Sequence, residues 1–352
     1  MRRFFECLIP VTACNLKCSY CYIIQEKRRT NQKAIFQYSA EHIGKALSQE
    51  RLGGKCLISI TGSGETLIPN ELPDIVLEIL KQGHYINITT NGTLTKQFDK
   101  ILEKTKGFHQ QIHFSFSLHY TELKRLNLLP IFFENIKKVR KAGCSILLQI
   151  NLVDEYIPYW EEIKKISIKN VGAPPQVALT RDESNNTYKI MTALSKEEYI
   201  KIGKEMQSPL FDFTCKNFMV KRKEYCYAGY WSGKLNLCTG ELTGCYGLGI
   251  HQNIFKDIDK KIKFAPIGKH CHFKYCFNSS HFMSQGIIPE IKPPLPTYGE
   301  LRNREEAQWY SQEMKEFLYK RFSDTNLPLS NTKKIYFEIL YIIKQLYHKL
   351  QK

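Results

Sequence analysis

Over the first two hundred residues the apolar positions keep switching between two periods. Short runs rich in β-branched and aromatic residues read as strands, and longer stretches with apolar residues every three or four positions read as helices. Phe4-Phe5-Glu6-Cys7-Leu8-Ile9-Pro10-Val11 opens the chain as a strand. Tyr38 to Leu52 follows as a helix, with Ser39 placed to cap it, Ile43, Ala46 and Leu47 on one face and Gly53-Gly54 to stop it. Lys55 to Thr61 is strand-like and runs into Gly62-Ser63-Gly64-Glu65-Thr66, after which a helix is predicted from Glu71 to Gln82. The alternation gives further strands at Tyr85 to Thr90, Gln111 to Leu118, Ser145 to Leu152 and Gln176 to Thr180. Helices follow at Thr95 to Lys104, Phe132 to Ala142, Pro158 to Ile168 and Ser195 to Met206. Six strand-and-helix units in succession predict an α/β fold, a parallel sheet curled into an open barrel with functional groups at the C-terminal ends of its strands.

From about Leu210 the pattern changes. Cys215, Cys226, Cys238, Cys245, Cys271 and Cys276 fall within 62 residues rich in Gly and aromatics, with little helical period, so a metal or cluster is the expected stabiliser of this stretch. Four prolines between Pro289 and Pro296 predict a stiff connector. Gly299 to Phe322 then reads as a polar helix and Lys333 to Gln351 as an amphipathic one, with Ile335, Tyr336, Ile339, Leu340, Ile343, Leu346 and Leu350 on its apolar side. That side packs on the barrel or meets a partner or an anionic membrane, the latter favoured by Lys333, Lys334, Lys344 and Lys349. The expected organisation is a barrel over 1–208, a cysteine-rich region over 209–288, and a connector with a helical tail over 289–352.

Length and composition narrow the function. At 352 residues with 43% hydrophobic content the chain can bury a substantial core. No run of 18 apolar residues occurs and the N-terminus lacks a secretory cleavage pattern, so no integral membrane insertion is expected and the predicted compartment is the cytoplasm. Twelve cysteines at close spacings in so large a chain favour bound metal over a disulfide framework. A formal net charge of +17 reads as solvated lysine-rich faces or as a field that draws anionic partners.

The chemistry concentrates in Cys14-Asn15-Leu16-Lys17-Cys18-Ser19-Tyr20-Cys21, directly after the first strand. Three thiols in eight residues suit zinc or an iron-sulfur cluster, and a cubane held by three cysteines keeps one iron free for a reactant. Structural zinc sites close at four ligands, and no fourth lies nearby. The C-x3-C-x2-C pattern, with Tyr20 just before the last cysteine, resembles the signature of the radical S-adenosylmethionine (SAM) superfamily. That resemblance implies a partial (β/α)6 TIM-like barrel and a [4Fe-4S] cluster on Cys14, Cys18 and Cys21, whose open iron chelates SAM, with Tyr20 packing on the adenine. Ser63, Gly64 and Glu65 match the family's Gly-Gly-Glu-Pro segment facing the SAM amino group, although Ser63 replaces a Gly and Thr66 the Pro. Asn91 and Ser117, at the ends of strands three and four, match positions that touch the ribose or carboxylate. Gln149 and Asn151 are polar positions on one face of strand five and read as barrel-facing ligands or as buried amides.

The later cysteines resemble the SPASM and twitch auxiliary-cluster extensions of that superfamily. Thirteen residues separate Cys226 from Gly240 and four separate Gly240 from Cys245, which fits their opening pattern. The resemblance implies a second, auxiliary [4Fe-4S] cluster on Cys226, Cys245, Cys271 and Cys276, with zinc as the chemical alternative. Cys238 is the reserve ligand and a candidate hydrogen donor, while Cys144 and Cys215 read as buried spectators. The implied activity is reductive cleavage of SAM to a 5′-deoxyadenosyl radical, which abstracts hydrogen from a peptide or a carbohydrate- or nucleotide-linked substrate. Oxidation, cross-linking or epimerisation follows, with a reduced flavodoxin- or ferredoxin-type protein as electron donor. A zinc-stabilised basic nucleic-acid-binding protein is the alternative class. Its aromatic residues fall in core patterns without a reader motif, so nucleic acid is not the expected partner.

Overall fold

The computed structural model describes residues 1–185 and 188–350, the side chains of 344–350 excepted. Its strands are β1 (Arg3–Ile9), β2 (Cys56–Gly62), β3 (Tyr85–Thr90), β4 (Ile112–Ser117), β5 (Ser145–Leu152), β6 (Gln176–Leu179), β7 (Ser232–Asn236), β8 (Glu241–Cys245) and β9 (Leu248–Asn253). They form one sheet in the order β6-β5-β4-β3-β2-β1-β7-β8-β9. β1 to β6 pair in parallel, each with its sequence neighbour, which gives the partial (β/α)6 barrel. Helices cover the outer faces, so strands such as β2, with Cys56 to Ile60 all buried, are apolar on both sides rather than alternating. The Tyr38 to Leu52 stretch divides into helices Ala40–Ala46 and Gln49–Leu52. Ser48 breaks it, because its hydroxyl accepts the Arg51 N–H and caps a second helix there.

The region after Leu210 departs from a loop fold held by ligands alone. β7 adds to β1 in parallel, Phe5 opposite Gly233, and β8 and β9 continue antiparallel. Trp231, Leu235, Leu237 and Leu242 on and beside these strands are buried in the same core as the barrel. The stretch from Gly299 to Phe322 is not one helix: short turns at Glu305–Ala307 and Gln312–Leu318 accompany buried residues that include Leu301, Arg302 and Trp309. Its backbone joins the barrel, with Ile146 N donating to Trp309 O at 2.9 Å, and Arg304 donates to the carbonyls of Pro174, Pro175, Met206 and Gln207. These polar residues pack at the N-terminal ends of β5 and β6, where distant carbonyls take their charge, so the expected polar helix does not form as one element. The last helix, Asn331–Leu350, docks through Glu338, 2.5 Å from His270 Nε2, and through Tyr341 stacked on His270. Ile335, Tyr336, Ile339, Ile342 and Ile343 on it are exposed, whereas the side chains of Leu346, Leu350, Lys344 and Lys349 lie outside the described residues. Among the described residues no helix is long and apolar enough to cross a membrane.

Candidate functional site

β1 delivers the cysteine loop, and β2 holds it in place. Ser63 N donates to Ile9 O at 3.2 Å and Glu65 N to Ala13 O at 2.9 Å, so the backbone after β2 runs along the loop after β1. Gly64 is required by that approach: a Cβ there would stand 2.2 Å from the Ala13 carbonyl oxygen. Thr66, where the resemblance has Pro, closes the same turn by accepting the Gly62 N–H on its hydroxyl at 2.8 Å. Glu65 is 2% exposed, and its carboxylate accepts from Thr90 Oγ1, Asn91 N and Leu67 N at 2.6, 2.8 and 3.0 Å. Burial raises its pKa against the pull of those three donors.

These strand ends enclose one cavity of about 400 Å³. Cys14, Cys18, Cys21 and Tyr20 line it together with Ser63, Gly64, Glu65, Asn91 and Ser117, so every residue expected around SAM reaches the same space. Gln149 and Asn151 line it too, resolving their ambiguity toward the barrel interior. Asn91 lies against the cysteine loop itself: its Nδ2 donates to Asn15 Oδ1 at 2.7 Å and points at Cys14 Sγ at 3.8 Å. Tyr20 Oη bonds His119 Nδ1 at 2.6 Å and Tyr156 Oη at 2.9 Å, which fixes its ring at the rim of the loop. Burial presses His119 down to about 4, so the imidazole is neutral near pH 7. Arg29 also lines the cavity and donates to the Cys14 and Leu16 carbonyls at 2.6 and 2.7 Å. Sequence reasoning passed over His119 and Arg29. His119 lies two residues beyond Ser117, and Arg29 sat inside a basic run read only as charge.

The second cysteine group also assembles. Cys226 bridges Gly268 through paired backbone bonds, which brings it to the Cys271 loop, and Cys245 ends β8. Cys245 lies within electrostatic reach of Cys226, Cys271 and Cys276, and Cys276 within reach of Cys226 and Cys271. Burial, then these neighbours, pushes the Cys276 thiol up to about 12. Such thiols ionise readily only against a bound cation. Among the described residues no three His, Cys, Asp or Glu side chains stand at the spacing of ligands to a single ion. Each group supplies thiols only, the donor type that suits an iron-sulfur cluster or zinc. Cys238 is not brought to either group. It is 1% exposed, lines neither the cavity above nor a second one beside it, and its carbonyl accepts from Gln37 N. Cys144 is buried and Cys215 half-buried, both away from the two cavities.

That second cavity, of about 780 Å³, shares Tyr22, Thr61, Ser63, Arg181, Glu183 and Phe277 with the first. Tyr246 and His272, each next to a cysteine of the second group, line its far side. Lys234 spans its floor, 3.0 Å from Glu6 Oε2 and 3.8 Å from the centre of the Tyr246 ring.

A three-thiol loop stands at the open end of a partial parallel barrel, enclosed by a glycine turn and polar strand ends. Residues 8–166 match the family model of the Radical SAM superfamily, so the chain carries a domain of that superfamily. A curated "Probable GTP 3',8-cyclase" from Pyrobaculum aerophilum is 32% identical over 141 residues, 38% of this chain and 43% of that protein. Among solved structures, histidine-tagged anSMEcpe with bound AdoMet aligns over 92% of this chain and 97% of its own, at 16% identity and TM-score 0.53. Streptococcus suis SuiB bound to S-adenosylmethionine aligns over 73% of this chain and 64% of its own, at 16% identity and TM-score 0.51. The chain therefore spans less than half of the curated relative and just under two thirds of SuiB.

Proposed function

We propose that this chain is a radical SAM enzyme with two [4Fe-4S] clusters, a SAM-cleaving one on Cys14, Cys18 and Cys21 and a SPASM- or twitch-like auxiliary one on Cys226, Cys245, Cys271 and Cys276. The convergence of the cysteine loop, Ser63, Gly64, Glu65, Asn91 and Ser117 on one cavity carries this reading. When bound, the first cluster and SAM supply one-electron cleavage to a 5′-deoxyadenosyl radical that abstracts hydrogen from a carbon of the substrate. The protein's part is placement. The backbone around Gly64 and the buried Glu65 would wall the side of the SAM amino group, Asn91 and Ser117 would present polar groups to its ribose or carboxylate, and Tyr20, locked by His119 and Tyr156, would offer its ring to the adenine. The second cavity is the substrate chamber, its wall a mix of charged and aromatic side chains that include Arg181, Lys234, Tyr246 and Phe277. A reduced flavodoxin or ferredoxin supplies the electron, and the compartment is the cytoplasm.

The substrate is a peptide or a carbohydrate- or nucleotide-linked metabolite. Native anSMEcpe, aligned at TM-score 0.50 over 91% of this chain, is solved with a Cp18Cys peptide, while the curated relative is named for GTP. Anaerobic reconstitution tests the two-cluster reading: about eight irons per chain are expected, about four in Cys271→Ala with the remaining cluster still cleaving SAM. Full iron in Cys271→Ala, or a colourless zinc protein, contradicts it. Gene neighbours and mass spectrometry of candidate substrates after turnover separate the two substrate classes.

A further inference from the structure

We propose that Arg29 braces the SAM-cleaving cluster and sets its reduction potential. The inference rests on the proposed cluster on Cys14, Cys18 and Cys21, and it concerns a residue outside the expected site. Arg29 lies beyond the helical turn Tyr22–Gln25 that follows Cys21, and its side chain turns back across the loop. One guanidinium nitrogen donates to Cys14 O and another to Leu16 O, at 2.6 and 2.7 Å, so a rigid planar fork joins both carbonyls at the head of the loop. Two N–H groups also point at Cys14 sulfur, from Leu16 N at 3.5 Å and Asn91 Nδ2 at 3.8 Å.

The fork is not drawn into an ion pair. The other arginine of the cavity, Arg181, pairs with Glu183 at 2.6 Å. Arg29 forms no ion pair among the described residues, while the buried Glu65 carboxylate, held by Thr90, Asn91 and Leu67, lies within electrostatic reach of the same Cys14 thiol and acts on it in the opposite sense. Reduction adds one electron to the cluster from an external donor, with no bond made or broken and no proton taken up. A fixed cation on the backbone of the first ligand stabilises the added negative charge, and N–H groups on its sulfur act in the same direction. Arg29 is thus a positioning residue: it holds the loop by its fork and eases reduction by its charge.

Potentiometric titration of the anaerobically reconstituted full-length protein, followed by electron paramagnetic resonance with dithionite and low-potential viologens, tests this. The Cys14/Cys18/Cys21→Ala triple variant supplies the second cluster's signal for subtraction. Arg29→Gln is expected to keep its iron and titrate at lower potential, with a reduced-to-oxidised ratio at the wild-type midpoint down roughly tenfold. Arg29→Lys, which keeps the charge, is expected to recover most of that shift. Arg29→Gln with full iron and the wild-type midpoint overturns the proposal, as does iron loss in both variants, which reduces Arg29 to a structural strut. Iron loss in Arg29→Gln alone supports it, provided Arg29→Lys titrates near wild type. Failure of the wild-type protein itself to load iron on the first three cysteines strikes the functional reading instead.

Discussion

His113 shows how single side chains in this barrel are committed to one protonation state. It sits on β4 at 0% exposure, with Nδ1 2.7 Å from Asn87 Oδ1 and its ring edge-on to Tyr310. Burial first, and the charge of Arg302 second, holds it far below its ordinary value of 6.5, so it is neutral when folded and takes up a proton on unfolding below about pH 6.5. Its contribution to stability is therefore whole above that pH and falls as acid titrates the unfolded state. Urea midpoints at pH 7 and pH 5 check this: the wild-type protein is expected to lose stability between them, and His113→Gln to lose less. An equal loss in both removes His113 from the account. No local pattern announces this group, because a histidine inside an apolar strand carries no period of its own. The cysteine triplet was legible for the opposite reason, since three ligands within one loop need no tertiary fold to bring them together.

At the scale of elements, strand-and-helix periodicity was enough to place β1 to β6, because each covered parallel strand is a largely apolar run bounded by turn residues. The errors fall where a polar residue is buried by partners far off in sequence. The stretch around Arg302 and Arg304 read as a solvated helix, yet Arg304 is 7% exposed and serves four carbonyls from two distant turns. Nothing in local sequence shows those carbonyls. β7 to β9 were missed likewise, since their pairing with β1 is a tertiary event and Gly233, Gly244 and Gly249 weaken the strand pattern. Arg304→Met is expected to cost about 3 kcal/mol in urea unfolding, because it strands buried carbonyls without donors. A change under about 0.5 kcal/mol, the size of a surface substitution, contradicts the role of this segment in packing the ends of β5 and β6.

On the scale of the whole molecule the two cysteine groups share one sheet. β1 carries the first loop from one end and accepts β7 along its edge, so the strand that positions the first cysteine loop also anchors the hairpin that ends at Cys245. Glu6 of β1, paired with Lys234 of β7, lines the second cavity, and so do Tyr22 and Tyr246, the residues that follow Cys21 and Cys245. The proposed chemistry needs both groups within reach of that cavity.

The central claim is that the loop of Cys14, Cys18 and Cys21 holds a cluster that cleaves SAM. The most direct measurement is release of 5′-deoxyadenosine from SAM by the anaerobically reconstituted, dithionite-reduced protein, beside Cys18→Ala prepared in the same way. The account predicts product from the wild-type chain and none above background from the variant. Equal product from both, or none from a wild-type chain that has loaded its iron, would contradict it.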